Sequence, residues 1–238
     1  MTGLLYKNFR VNFYSFIALI ATALLCCSFA VVLSVIGDSA FGFDATTFLI
    51  SLIYYGAFII PSITSSFLFE ADEGKAACSF AMSIPQGAKG HIESKYWYIL
   101  IQNLSVLFIT FITDTITYGI LDGRFTATIP LVTIFCWRLF LSAVETPFII
   151  RFGSQKGLEI KTLVVVFICF LGMVYFLFGD ISWLINSPDL VKALLDFVKS
   201  GKVIFPLSLF PFISIAAYWL SCRISVKVFR KGAENYEQ

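Results

Sequence analysis

Charge is what this sequence has least of. Only 13% of its 238 residues are Asp, Glu, Lys or Arg, about half the share in ordinary globular chains. Histidine occurs once, as His91, which excludes H-E-x-x-H metal chemistry. A Ser-His-Asp triad is excluded too, because His91 falls in a polar connector, away from the membrane centre, and reads as a solvated loop residue. No G-x-x-x-x-G-K-[ST] loop is present: Gly153-Ser154-Gln155-Lys156-Gly157 has the wrong spacing, and no strand precedes it. The chain alone is therefore not expected to hydrolyse ATP. With a net charge of +2 and no long basic run, nucleic acid is not an expected partner. The six cysteines (Cys26, Cys27, Cys78, Cys136, Cys169 and Cys222) fit no CxxC, zinc or haem spacing and read as small apolar packing residues.

What the chain does have is apolar surface, with 58% hydrophobic and 17% aromatic residues. A soluble particle of this size exposes too much of itself to hide that much, and disordered chains are charged and poor in aromatics. Lipid is the remaining solvent. Six segments reach the roughly 20 apolar residues that a helix needs to cross hydrocarbon: 16–36, 46–69, 96–118, 126–150, 162–179 and 204–222. The alternation of a transmembrane β-barrel is missing, so the expected fold is an all-α polytopic membrane protein, with 1–238 as a single transmembrane domain. The fourth span is the least apolar, because Arg138 and Glu145 interrupt it and Pro147 is expected to bend it.

With both termini inside the cell, twelve Lys and Arg fall on the cytoplasmic side, four fall outside, and Arg138 lies within a span. That is the positive-inside pattern. The first span is too long for a signal core and lacks a small-residue cleavage site, so it is expected to be retained.

Three pieces lie between the spans. Residues 4–15 read as an interfacial helix, with Leu5, Phe9, Phe13 and Phe16 on one face and Lys7, Asn8 and Asn12 off it. In the outer loop 180–203, Ser187 and Pro188 suit the start of an amphipathic helix and Gly201 suits its end. The cytoplasmic connector from Glu70 to Lys95 opens on an acidic run. Asp72 and Glu73 suit the positive N-terminus of a short helix that Pro85 closes. A second short helix over 88–95 then leads to Lys95-Tyr96-Trp97, the usual anchors at a span entrance.

Gly3-Leu4-Leu5-Tyr6-Lys7-Asn8-Phe9 resembles the opening of small ABC-2-type transporter permeases. Phe69-Glu70-Ala71-Asp72-Glu73, Ser83-Ile84-Pro85 and Lys95-Tyr96 resemble that family's acidic patch, its Ser-Leu-Pro and its Lys-Tyr, with Ile84 in place of Leu. The similar branch includes exporters of amphipathic bacterial toxin peptides. The resemblance implies a permease subunit of an ATP-binding-cassette exporter in a bacterial plasma membrane. It implies pairing with an identical or related permease and the export of an amphipathic or hydrophobic cargo. It also implies a separate cytoplasmic ATPase that holds the ATP and magnesium, with no cofactor in this chain. Glu70, Asp72, Glu73, Gly74, Phe80, Met82, Ser83 and Pro85 are then the expected ATPase-coupling residues.

Asp114, Arg138 and Glu145 are the ionisable residues within spans, and such groups usually mark a polar interior. Arg138 and Glu145 lie seven residues apart on one helix face, about 10 Å along the axis. A partner on another helix or subunit is therefore as open to each as the other. Asp114, near the outer end of its span, is expected to reach water. The alternatives to an ABC permease are an ATP-independent secondary carrier and an intramembrane enzyme. Three scattered charges do not supply the clustered groups that the enzyme needs.

Overall fold

A backbone in lipid must satisfy its polar groups internally, and the described residues do so as helices without a strand. The computed structural model describes residues 2–59, 61, 68, 69, 83, 87–123, 126–178 and 201–236. The helices are α1 (Thr2–Val11), α2 (Phe13–Phe41), α3 (Phe43–Ala57), α4 (Gly87–Ile120), α5 (Thr128–Phe152), α6 (Ser154–Phe178) and α7 (Gly201–Tyr236). α2, α4, α5, α6 and α7 are long and apolar enough to cross a membrane, and α3 is a shorter apolar helix. The protein is thus an all-α, multi-pass membrane protein. The expected second span is seen in its first part, since α3 ends at Ala57 and most of 60–67 lies outside the described residues. The outer helix expected over 187–201 lies almost wholly outside them as well.

Several helices are longer than their apolar runs. The segment expected as a separate helix over 88–95 is the first part of α4, whose 34 residues make about 51 Å of helix. α7 likewise continues past Cys222 through the basic residues to Tyr236. These extensions are not rich in strong helix formers, and what holds them is packing of α4 against α1 and α7.

The N-terminal helix is shorter than expected. α1 stops at Val11 and α2 begins at Phe13, with Asn12 between them at φ −103°, ψ 25°. The amides of Asn12 and Phe16 still bond the carbonyls four residues back, and Phe16 stays against Phe9 and Tyr98. Leu5 and Phe9 pack against a buried cluster of Leu68, Phe69, Tyr98, Ile99 and Ile149, whereas Phe13 is exposed and Asn8 is buried.

Two pairs of helices are joined through a single glycine. Gly42 links α2 to α3 at φ 81°, ψ 159°, and Gly153 links α5 to α6 at φ 92°, ψ 167°. Only glycine holds that backbone region without strain. α2 and α3 pack together, as do α5 and α6, while α7 lies along α5 and also touches α4. α4 is central, in contact with α1, α2, α5 and α7. The larger core draws Leu19, Ala23 and Ala30 of α2 against Ile50 and Tyr54 of α3, Val106 of α4 and Leu131 of α5. Small residues at Ala23 and Ala30 let the backbones approach, the usual device where lipid supplies no hydrophobic drive between helices.

Candidate functional site

α4 is built inside out. Leu104, Phe108, Phe111, Ile112 and Ile116 are exposed, while Lys95, Gln102, Asn103, Thr110, Asp114 and Thr117 are buried at helical spacing. In a bilayer this is the stable arrangement, with apolar side chains against acyl chains and polar ones facing neighbouring helices. The polar face of α4 meets its partners in three layers.

The first layer lies at the base, where the connector leaves after Phe69 and returns at Gly87. Lys95 is only 2% exposed; its Nζ donates to the Leu68 carbonyl at 3.2 Å and sits 4.3 Å from the centre of the Phe69 ring. Lys95 thereby ties the departing end of the connector to the helix that receives its other end. Beside it, Asn8 Nδ2 donates to Ser94 Oγ at 3.1 Å, and Ser94 Oγ donates to the His91 carbonyl at 2.7 Å. The Phe9 and Tyr98 rings meet at 4.9 Å. His91 is buried, 5.7 Å from the Phe229 ring of α7.

Two expectations are corrected here. Lys95 is not a snorkelling anchor and His91 is not solvated, because both lie on the face of α4 that α1, α7 and Leu68-Phe69 cover. Trp97, on another side of α4, does stay exposed as an anchor should. Among the expected coupling residues, Ser83 is exposed, while Glu70, Asp72, Glu73, Gly74, Phe80, Met82 and Pro85 lie outside the described residues.

The second layer lies next to the first, at Tyr96 of α4. Pro147 has no N–H, so the Ala143 carbonyl four residues earlier loses its helical partner. Ser221 of α7 supplies another, donating to that carbonyl at 2.5 Å. The Tyr96 hydroxyl bonds Ser221 at 2.7 Å and Ser225 at 2.8 Å, and the Tyr218 hydroxyl donates to the Tyr96 carbonyl at 2.7 Å. One hydroxyl network thus joins α4, α5 and α7, and α5 runs through Pro147 to Phe152. Ser221→Ala is expected to cost about 1–3 kcal/mol, because it strands a buried carbonyl; Ser221→Thr, which keeps the hydroxyl, should cost less. Thermal unfolding in detergent checks this, and equal midpoints for the wild type and Ser221→Ala would count against it.

The intramembrane charges of α5 start beside this network at Glu145 and continue about 10 Å along the helix to Arg138. Glu145 is 1% exposed, and Lys161 Nζ of α6 lies 3.1 Å from its Oε2. Both residues are eight positions from Gly153, so the α5–Gly153–α6 hairpin brings them to one depth, about 12 Å along each helix from the link. Glu145 thus has a partner on another helix, as the spacing left open. Arg138 faces the bundle interior at 3% exposure, yet its Nε, Nη1 and Nη2 have no hydrogen-bond partner among the described residues.

The third layer corrects the reading of Asp114, which is buried rather than in water. Its Oδ1 accepts the Ala127 N–H at 2.8 Å, and its Oδ2 accepts the hydroxyls of Thr126 at 3.1 Å and Thr128 at 3.2 Å. A carboxylate of α4 thereby caps the start of α5, which has no side-chain cap of its own.

The sequence reading singled out Lys95 and Tyr96 as a motif without their partners, and missed Ser221, Ser225 and Lys161. The signal for α4 was present in the recurrence of polar residues at 95, 102–103, 110, 113–114 and 117, which marks one face of a helix. For α7, the seryl pair four residues apart was the corresponding mark.

A family model described as ABC-2 family transporter protein matches residues 3–230. No curated protein and no solved structure matches the chain.

Proposed function

This chain belongs to the ABC-2 transporter family and is a membrane permease component of an ABC transporter; we propose that it serves as an exporter subunit whose connector is driven by a separate ATPase. The ATP-independent carrier gives way to that family match. In this reading two permease subunits, identical or related, enclose a path for an amphipathic or hydrophobic cargo, such as a peptide. Two cytoplasmic ATPase subunits hold the ATP and magnesium. Both termini lie in the cytoplasm of a bacterial cell, in keeping with the twelve-to-four bias of Lys and Arg. The second subunit has surface to use: α6 packs on α5, yet no residue of its apolar stretch is buried.

The observation that carries the coupling reading is Lys95 on the Leu68 carbonyl. A push on the connector between Phe69 and Gly87 is passed at once to α4, and α4 touches α1, α2, α5 and α7. Movement of the ATPases then becomes rigid-body tilting of the bundle. Glu70, Asp72 and Glu73 offer charge to the ATPase, Phe80 and Met82 offer apolar contact, and Gly74, Ser83 and Pro85 shape the segment between them.

Reversing Glu70, Asp72 and Glu73 together to Lys tests this. Lost helix-end stabilisation amounts to about 0.3–1 kcal/mol per charge, too little to unfold the bundle, so membrane abundance should hold. Capture of the co-expressed ATPase and efflux of an amphipathic peptide should both fall about tenfold or more, the loss expected from several charge-assisted contacts. Normal capture and normal efflux at matched abundance would remove the coupling role from this segment.

A further inference from the structure

A cavity of about 650 Å³ opens between α4, α5 and α7, and the transport reading above makes no use of it. Its volume falls within the range of small-ligand sites. Glu93, Trp97, Trp219 and Arg223 stand at one end, and Phe135 and Ile215 belong to its apolar part. Arg223 and Ile215 are eight residues apart on α7, so the cavity runs about 12 Å from charge into hydrocarbon. Trp97 and Trp219 are 51% and 60% exposed, which leaves the opening on the outer surface of the bundle, where lipid lies.

The exposed face of α7 identifies the occupant. Phe212, Ile215 and Trp219 are followed on the same face by Arg223, Lys227 and Arg230, at steps of three and four residues. Along one stripe the helix passes from apolar to indole to basic. That is the order a lipid presents, since indoles settle at headgroup level and basic residues beyond them meet anionic headgroups. Arg223 lies 4.6 Å from the centre of the Trp219 ring, held at the mouth. Glu93 is the acid at the mouth, and Lys89 lies 3.8 Å from it. Lys89, Glu93 and Arg223 together leave one positive charge there, and Lys227 adds another about one turn further along α7. A zwitterionic headgroup gains little from that field, and an anionic one gains much.

We propose that this cavity binds one acyl chain of an anionic phospholipid from the leaflet at the basic end of α7, with Arg223 and Lys227 facing its phosphate. The site wedges α7 against α4, so its occupancy supports the helix that carries the Lys95 tie. The inference rests on the membrane fold and not on the direction or cargo of transport.

The test uses the full chain with Trp219 as its only tryptophan, Trp97, Trp137 and Trp183 being replaced by Phe, in nanodiscs of zwitterionic lipid. Phosphatidylglycerol and phosphatidylcholine with identical brominated chains are added in turn, and quenching of Trp219 is read. Phosphatidylglycerol should reach half-quenching at a mole fraction about fivefold lower for each basic side chain engaged. Arg223→Gln with Lys227→Gln should bring the two lipids to parity. Ile215→Phe, which fills the apolar part and keeps the mouth, should weaken quenching by both lipids. Equal quenching by the two lipids in the unsubstituted background overturns the proposal, as does a preference that survives the double Gln variant. Relief of quenching by an added amphipathic peptide at equal lipid content also overturns it, because the cavity is then a cargo site. The first comparison keeps Arg223, Lys227 and Ile215, so a poorly inserting variant at those positions leaves the decision intact.

Discussion

Glu145→Gln is expected to lower the stability of the folded bundle by about 3–5 kcal/mol, the usual result of removing one partner from a buried ion pair. Glu145 is a buried carboxylate that meets two cations: Lys161 at 3.1 Å, whose side chain is 12% exposed, and the buried Arg138, which it reaches through its field rather than by a hydrogen bond. These three groups sum to one positive charge between α5 and α6. Neutralising Glu145 raises that to two and removes the carboxylate that both cations face. Lys161→Met should cost less, because Glu145 then balances Arg138 and the sum falls to zero. The order of the two variants distinguishes this from a general intolerance of change. Thermal or SDS-induced unfolding of the purified protein in mild detergent gives both values. A Lys161→Met protein that is no more stable than Glu145→Gln would contradict the charge argument.

Asp114→Ala is expected to cost about 3 kcal/mol, combining a charge-assisted hydrogen bond with loss of a helix cap. The two threonine hydroxyls can turn to other acceptors, but the Ala127 N–H belongs to a fully buried residue and cannot reach water. The cost therefore falls mainly on that amide and on the first turn of α5. Asp114→Asn keeps an oxygen for the amide and should lose about 1 kcal/mol, the worth of the charge assistance. Hydrogen exchange supplies the local readout: amides 127–131 should lose protection in Asp114→Ala while the distant α6 keeps its own. Unchanged protection at 127–131 would show that α5 begins without help from α4.

The long spans were legible because an apolar run of about 20 residues has one stable form in lipid. The N-terminal helix was legible too: Leu5, Phe9 and Phe16 share the face that packs on the bundle, and of the four expected there Phe13 is the one that points outward. Lys95 and His91 were misplaced for a different reason. Lys95-Tyr96-Trp97 is the same string whether its lysine snorkels to headgroups or turns to a neighbouring carbonyl. Only the presence of Leu68 and Phe69 on that side of α4 decides between the two. Asp114 looked solvated by its position near a span end, until the first turn of α5 was seen folded over it.

By itself, the sequence determined the solvent, the helical class, the positions of the long spans and, through the motifs around the connector, the ABC-2 family. Each of these follows from local composition or a short string, which needs no neighbour to be read. The tertiary structure decided which polar group serves which: Ser221 for the carbonyl freed by Pro147, Lys161 for Glu145, Lys95 for Leu68, Asp114 for Ala127. In water, an apolar stripe shows which way a helix faces. In lipid the outward face is apolar as well, so the direction of a helix is fixed by where its few polar side chains find partners. Those partners stand on other helices, at sequence distances that no periodicity reaches.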